Sequence, residues 1–207
     1  MTVVASNYAR KENDLYQTEP WATEALLRVL PPLRAGHIVW EPAAGNHLIA
    51  DVVREASVPV VTSDIAIYDR PHDFLFDFLS GAHDGPDATH IITNPPYGRQ
   101  NRDAEKFAAL ALSRCRGWVA LLLTAKFDFG KTRAHLFRDC PRFFGKIALV
   151  DRIQWFAGDG SGTEDHAWYI WAPTGEAHPH GRIFYEGNPA KPARQRKVRR
   201  RKLEAAV

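Results

Sequence analysis

The strongest chemical character in this chain lies in Asn94-Pro95-Pro96-Tyr97, directly after the apolar run Ile91-Ile92-Thr93. Pro95 and Pro96 have no amide proton and fix their own φ, so a strand entering this tetrapeptide must stop in a stiff, extended tip. The tip presents backbone carbonyls, a carboxamide and an aromatic ring to whatever lies beyond the strand end. A second set is Glu41-Pro42-Ala43-Ala44-Gly45-Asn46-His47, in which Gly45 permits a tight turn and close backbone approach to a ligand. Asp64 stands 23 residues after Glu41, at the end of another apolar run, where a carboxylate is able to accept hydrogen bonds from ribose hydroxyls. An ordinary turn followed by a solvated aspartate makes the same pattern, so the second set gains meaning only beside the first.

Bringing these groups together requires strands whose carboxyl ends converge. The periodicity predicts strands at 37–40, 58–62, 89–93 and 118–124 and helices at 48–56, 103–114 and 131–138. Thr18 is placed to cap an earlier helix through Trp21, Ala25, Leu26, Val29 and Leu30, which Pro31-Pro32 ends. Residues 73–87 are loop-rich, with room for one short strand or helical turn. The segments 147–153 and 167–171 read as two strands closing the chain in a hairpin. Strands alternating with helices predict an α/β fold with a mostly parallel sheet, and the unbroken apolar run at 118–124 suits a strand covered on both faces. In such a sheet the ligand lies outside the carboxyl ends of the strands, and Gly45, Asp64 and Asn94 all fall there.

At 207 residues and 45% apolar content the chain can bury a core of its own. We expect one catalytic domain over 1–190 and a separate tail over 191–207. No run approaches the length of a membrane span, and Met1 is followed by neither a basic segment nor an apolar signal region, which predicts no membrane partner and a cytoplasmic protein. Cys115 and Cys140 are too few for a disulfide scaffold and are read as reduced thiols. The net charge of +3 is unevenly distributed: residues 191–202 carry eight of the 27 basic groups and no acid. With Glu204 the single acid beyond, residues 1–190 hold nineteen basic and twenty-three acidic groups, a net of −4. A basic tail of this kind is either a solvated end or a contact for a polyanion.

Taken in order, EPAAGNH, TSDI, DFL and NPPY resemble the S-adenosylmethionine-dependent amino-methyltransferases, most closely the small phage- and prophage-type DNA adenine methyltransferases. The resemblance runs from DLYQTEPWATEALL to HAWYIW near residue 171. It implies a seven-stranded Rossmann-like sheet, S-adenosylmethionine as cofactor and adenine in DNA as the target, the base being flipped out of a duplex. It also implies that Tyr16, Thr18 and Pro20 approach the methionine end of the cofactor. Glu41, Ala43 and Gly45 would form the turn beneath it and Asp64 would hold the ribose. Asp77 and Phe78 would meet the adenine moiety, with Asp73-Phe74-Leu75 a competing second DFL. His47 stands where the family pattern has its second glycine. Protein glutamine and RNA adenine are alternative methyl acceptors, and a non-catalytic binding protein with the same fold is a third reading.

The resemblance also gives the proline-rich tip its chemistry. An amine conjugated to a purine ring, or a carboxamide nitrogen, is a poor nucleophile because its lone pair is delocalised. Asn94 Oδ1 and the Pro95 carbonyl would accept one N–H each and localise that lone pair, Pro96 would add stiffness, and Tyr97 would offer its face to the base. The methyl would then pass in line, driven by positioning and electrostatics. Lys126 and Phe127, after the strand at 118–124, stand where related enzymes line the target pocket, although burial of Phe127 against the next helix fits the pattern equally. Trp155-Phe156 is the likeliest aromatic pair outside the core. His178-Pro179-His180 has no acid or thiol at a ligand spacing, which predicts a solvated loop and no metal site.

Overall fold

The computed structural model describes residues 12–81, 85–155, 164–175 and 181–190. Eight strands form one sheet: β1 (Val39–Glu41), β2 (Val60–Asp64), β3 (Phe74–Leu75), β4 (His90–Thr93), β5 (Val119–Thr124), β6 (Phe143–Leu149), β7 (His166–Trp171) and β8 (Arg182–Glu186). Their order is β3-β2-β1-β4-β5-β7-β6-β8. All pairings are parallel except those of β7, which runs antiparallel to both β5 and β6. The three helices are α1 (Pro20–Val29), α2 (Leu48–Glu55) and α3 (Arg102–Arg114).

The sheet splits the core into two layers. On one face α1 and α2 bring Trp21, Leu26, Ile49 and Val53 against Ile92, Leu122 and Trp168. On the other, α3 and the turn after β5 bring Phe107, Leu136 and Phe137 against Leu121, Tyr169 and Trp171. Alternation along β7 sends Trp168 to the first layer and Trp171 to the second, and each indole N–H closes its layer on a carbonyl: Ala22 O at 2.7 Å and Leu136 O at 2.6 Å. Every residue of β5 is buried, as expected of a strand covered on both faces.

Several expectations need correction. The sheet has an eighth strand, because β8 pairs in parallel with the outer edge of β6 and buries Phe184 against Phe144. β6 spans 143–149, four residues earlier than the expected 147–153, since its partner β7 extends to Trp171 and draws Phe143 into the ladder. The segment after Gly130 is a 3₁₀ turn, Lys131–Leu136, in place of an α-helix. Thr18 does not cap α1: Glu19 holds the N-cap position without a side-chain bond, because the Thr18 hydroxyl is used elsewhere. Pro20 at the first helical position and the extended Leu30 before Pro31 bound α1 at its two ends.

The strand order turns back on itself between β1 and β4, where the chain crosses from β3 to β4. A crevice opens at such a switch point, outside the carboxyl ends of the strands.

Candidate active site

A cavity of about 390 Å³ fills that crevice, within the usual range for a small-molecule site. Its walls come from the carboxyl ends of β1, β2 and β4, from residues 76–79, and from the segment 13–18 that precedes α1. Of the ten positions expected to hold a cofactor, nine line it: Tyr16, Thr18, Glu41, Ala43, Gly45, Asp64, Asp77, Phe78 and Asn94. Pro20 does not, because it is the exposed first residue of α1.

The turn after β1 is built around a left-handed backbone. Gly45 has φ 49° and His47 φ 67°. A methyl group on Gly45 would stand 2.9 Å from Leu15 Cδ1 and 3.0 Å from Gln17 Nε2, so the missing side chain lets segment 13–18 close over the turn. At His47 a glycine would adopt this φ without strain, which explains the usual residue there. The imidazole is buried but does not line the cavity. It meets His72 Nδ1 through Nε2 at 2.9 Å, and His72 Nε2 lies 3.1 Å from Ala66 O. A carbonyl only accepts, so His72 donates to it through Nε2. Burial first, then Arg70 and His72, lowers the His47 pKa to about 4, which keeps this ring neutral.

Glu41 is buried, and its carboxylate caps α2 by accepting from Ala50 N at 2.9 Å, a bond that His47 does not supply from the N-cap position. Desolvation raises its pKa well above the ordinary value, against the opposing bond from Ala50. Asp64 accepts from Gly45 N at 2.9 Å through Oδ2 and from Ile65 N at 2.7 Å through Oδ1. With longer bonds from Ala66 N and the Tyr68 hydroxyl to Oδ1, both at 3.4 Å, these lock the carboxylate, and Oδ2, which has a single donor among the described residues, keeps a lone pair for another. Of the two DFL sets, the second reaches the cavity: Asp73 instead accepts from Thr62 N at 2.7 Å and Thr62 Oγ1 at 2.9 Å, tying β3 to β2. Asp77 accepts from Leu79 N. The Phe78 ring is 3% exposed and stacks on Phe107, so most of it belongs to the core.

Asn94 sits at the opposite wall. Its Nδ2 donates to Tyr16 O at 3.2 Å and to Thr18 Oγ1 at 3.3 Å. Tyr16 O can only accept, which assigns the nitrogen to that side. Among the described residues Asn94 Oδ1 is buried without a hydrogen-bond partner, and the Pro95 carbonyl accepts no bond. Buried acceptors are ordinarily paired, and leaving one unpaired costs about 1–3 kcal/mol. Gly98 N donates to Asp14 Oδ2 at 2.9 Å, a second tie between the tip and segment 13–18.

Tyr97, Pro95, Lys126 and Phe127 do not line the cavity. The Tyr97 hydroxyl donates inward to Leu122 O at 3.3 Å, and its ring lies against His166 with centroids 6.1 Å apart. Burial, and then the charges of Glu164 and Asp14, raise the Tyr97 pKa, so the hydroxyl keeps its proton. Trp155 meets both Tyr16 and His166 edge-on, so an aromatic cluster adjoins the proline tip. Phe127, at 1% exposure, packs between Phe137 and Tyr169, with the Arg133 guanidinium 4.3 Å from its centroid. Lys126 is exposed. Phe156, the loop after Gly158, His178-Pro179-His180 and the basic tail lie outside the described residues, among which no group of metal-ligating side chains occurs.

Sequence reasoning missed Asp14, Leu15 and Gln17, and the apolar contacts Ile65 and Phe76. Ile65 carried a usable signal, since it directly follows the acid at the end of β2. Asp14, Leu15 and Gln17 interleave with Tyr16 and Thr18 in the segment DLYQT, so the signal that pointed to those two also covered their neighbours.

No family model and no curated protein matches the chain. Solved structures do. A candidate class I S-adenosylmethionine-dependent methyltransferase from Listeria monocytogenes superposes with TM-score 0.58 at 12% identity, over 80% of this chain and 62% of that one. The M protein of the type I restriction enzyme EcoKI gives 0.58 at 14% identity, over 86% and 50%. This chain has the class I methyltransferase fold. A candidate RNA methyltransferase from Pyrococcus horikoshii shares it at TM-score 0.53 and 13% identity, over 67% and 75%. The chain thus spans about half the length of the EcoKI subunit.

Proposed function

We propose that this chain binds S-adenosylmethionine in the β1/β4 crevice and methylates the N6 amine of adenine in DNA. The observation that carries the reading is Asn94, a residue of the cavity wall: its nitrogen is anchored on both sides, while its buried oxygen has no partner among the described residues. An amine with two N–H groups supplies the missing donor and a second one for the Pro95 carbonyl.

The cavity suits the cofactor by its chemistry. Asp64 is positioned to accept ribose hydroxyls, Asp77 stands beside the apolar Ile65 and Phe76 for a purine ring, and Glu41 and Thr18 lie toward the tip. Bound there, the cofactor would supply an electrophilic methyl on a sulfonium. Asn94 and Pro95 hold the acceptor nitrogen and draw its N–H bonds out of conjugation, which raises the nucleophilicity of the lone pair. The two prolines keep that geometry rigid, and the segment 13–18, held by Asp14 and by the Asn94 amide, excludes water from one side. The order of motifs ending in NPPY, which resembles that of DNA adenine methyltransferases, supports the choice of DNA, and the basic tail is compatible with it.

Incubation with tritiated S-adenosylmethionine and, separately, duplex DNA, RNA and release-factor protein tests this reading. Label in N6-methyladenine of the DNA digest is the expected result. Label in RNA or in a glutamine would move the substrate, and label nowhere despite cofactor binding would leave a binding protein.

A further inference from the structure

We infer that the loops following β4 and β5 form a phosphodiester-binding face beside the proline tip, with Phe129 as its stacking platform. This rests on the nucleic-acid reading above and names the surface that would serve it.

Exposed Arg99 and Arg102 follow the tip, and exposed Lys126 and Lys131 with Arg133 follow β5. β4 and β5 are parallel neighbours, so both loops leave the same edge of the sheet. They also lie on the same face of it: α3, which Arg102 opens, packs against the turn Lys131–Leu136. No ion pair forms at any of these five cations among the described residues.

The acid within the second loop does not cancel them. Asp128 is held by Lys146 at 3.1 Å and accepts from the Tyr169 hydroxyl at 3.0 Å. Glu164 lies within electrostatic reach of Lys126, so Lys131 and Arg133 carry the larger uncompensated charge. Arg133 stacks on Phe127, and its Nε and Nη1 are buried without partners. It is therefore held by a ring and not by an anion.

Phe129 is 77% exposed. Lys146 Nζ lies 5.5 Å from its centroid, and an exposed ring flanked in sequence by Lys126 and Lys131 suits an unstacked base and its phosphates, since any base offers a π face. A protein partner rich in acids would satisfy the cations but would leave that ring without a planar partner. The body's net of −4 makes a local cluster of unpaired cations at this edge the more distinctive.

The test is an anisotropy titration of the full chain with short fluorescent duplex DNA, single-stranded DNA and RNA across a range of salt. Wild type is compared with Arg99→Ala/Arg102→Ala, Lys126→Ala/Lys131→Ala and Phe129→Ala. Arg99→Ala/Arg102→Ala is expected to reduce the log–log salt slope on duplex DNA by about 1.8, and Lys126→Ala/Lys131→Ala by about 0.9–1.8 because Glu164 already faces Lys126, at roughly 0.9 per lost phosphate contact. Phe129→Ala should weaken single-stranded binding about tenfold. A calorimetric titration with S-adenosylhomocysteine confirms that each variant is folded, and the tail's contribution is the same in all of them. Unchanged slopes in both double variants would overturn this face while leaving the methyl-transfer assay free to support the function. Wild type that binds cofactor but no nucleic acid at low salt would overturn the face and the choice of substrate together. The DNA and RNA arms separate the two sources of the same backbone chemistry.

Discussion

Asn94 has two tasks that a single substitution separates. Its nitrogen side ties the tip to Tyr16 and Thr18, and its oxygen side is available to an acceptor amine. Asn94→Ala is expected to lower kcat by about 10²–10³, the usual effect of removing one donor or acceptor matched to a transition state. Cofactor affinity, measured by calorimetry, should change by less than about tenfold, the equivalent of one neutral hydrogen bond. Turnover near that of the wild type would refute the clamp. His47 makes a different case. The left-handed backbone favours glycine, while the bond to His72 favours the imidazole, and each effect is worth about 1 kcal/mol. His47→Gly should therefore leave thermal stability nearly unchanged and cofactor binding equal or tighter, because the ring is not on the cavity wall. A large loss of affinity would show that the 66–72 segment depends on the histidine pair.

At the scale of elements, the closing piece is the segment 13–18, and Gly45 controls how near it comes. An alanine there has to adopt φ 49° and pushes on Leu15 and Gln17 at about van der Waals overlap. Both neighbours are flexible side-chain ends, so the sheet should survive and the segment should shift. We expect Gly45→Ala to fold, to lose about 1–2 kcal/mol of stability from the backbone conformation, and to bind S-adenosylmethionine more weakly. Unaltered cofactor affinity would mean that the segment closes independently of this turn.

The whole molecule responds to acid through buried imidazoles. His47, His90 and His166 are enclosed, and burial, the largest cause in each, pulls all three pKa values from 6.5 to about 4. An unfolded chain protonates them near 6.5, so between about pH 6.5 and 4 the unfolded state binds up to three more protons. Stability is then complete above this window and falls as pH drops through it, by at most about 4 kcal/mol per unit for the three, with the raised pKa of Glu41 acting in the opposite sense. Urea midpoints measured at about pH 7, 6 and 5 should decline in that order, and a flat series would contradict the neutral assignment. The second molecular property is charge. Deleting residues 191–207 removes eight cations from a body of net −4, and should weaken DNA binding about equally for all sequences and lower its salt slope. A truncated chain with wild-type affinity and slope would assign the tail to another role.

Much of this was legible in the residues themselves because the physics involved is local. Alternating apolar runs and helical spacing define a parallel α/β sheet, Asn94-Pro95-Pro96 ends a strand wherever it lies, and an acid at a strand end faces a crevice by topology alone. Hence nine positions along the wall of one cavity could be named from motif order. What required the tertiary structure is non-local. Both DFL sets have the same three residues, and only the pairing of Asp73 with Thr62 leaves Asp77 for the cavity. Phe127 and Phe129 stand two positions apart after the same strand, yet one is 1% and the other 77% exposed, because the packing of Phe137 and Tyr169 decides which ring the core admits. β8 exists through the free edge of β6, with which it pairs in parallel. The unpaired oxygen of Asn94 depends on a carbonyl 78 residues away, a distance in sequence across which no local pattern carries information.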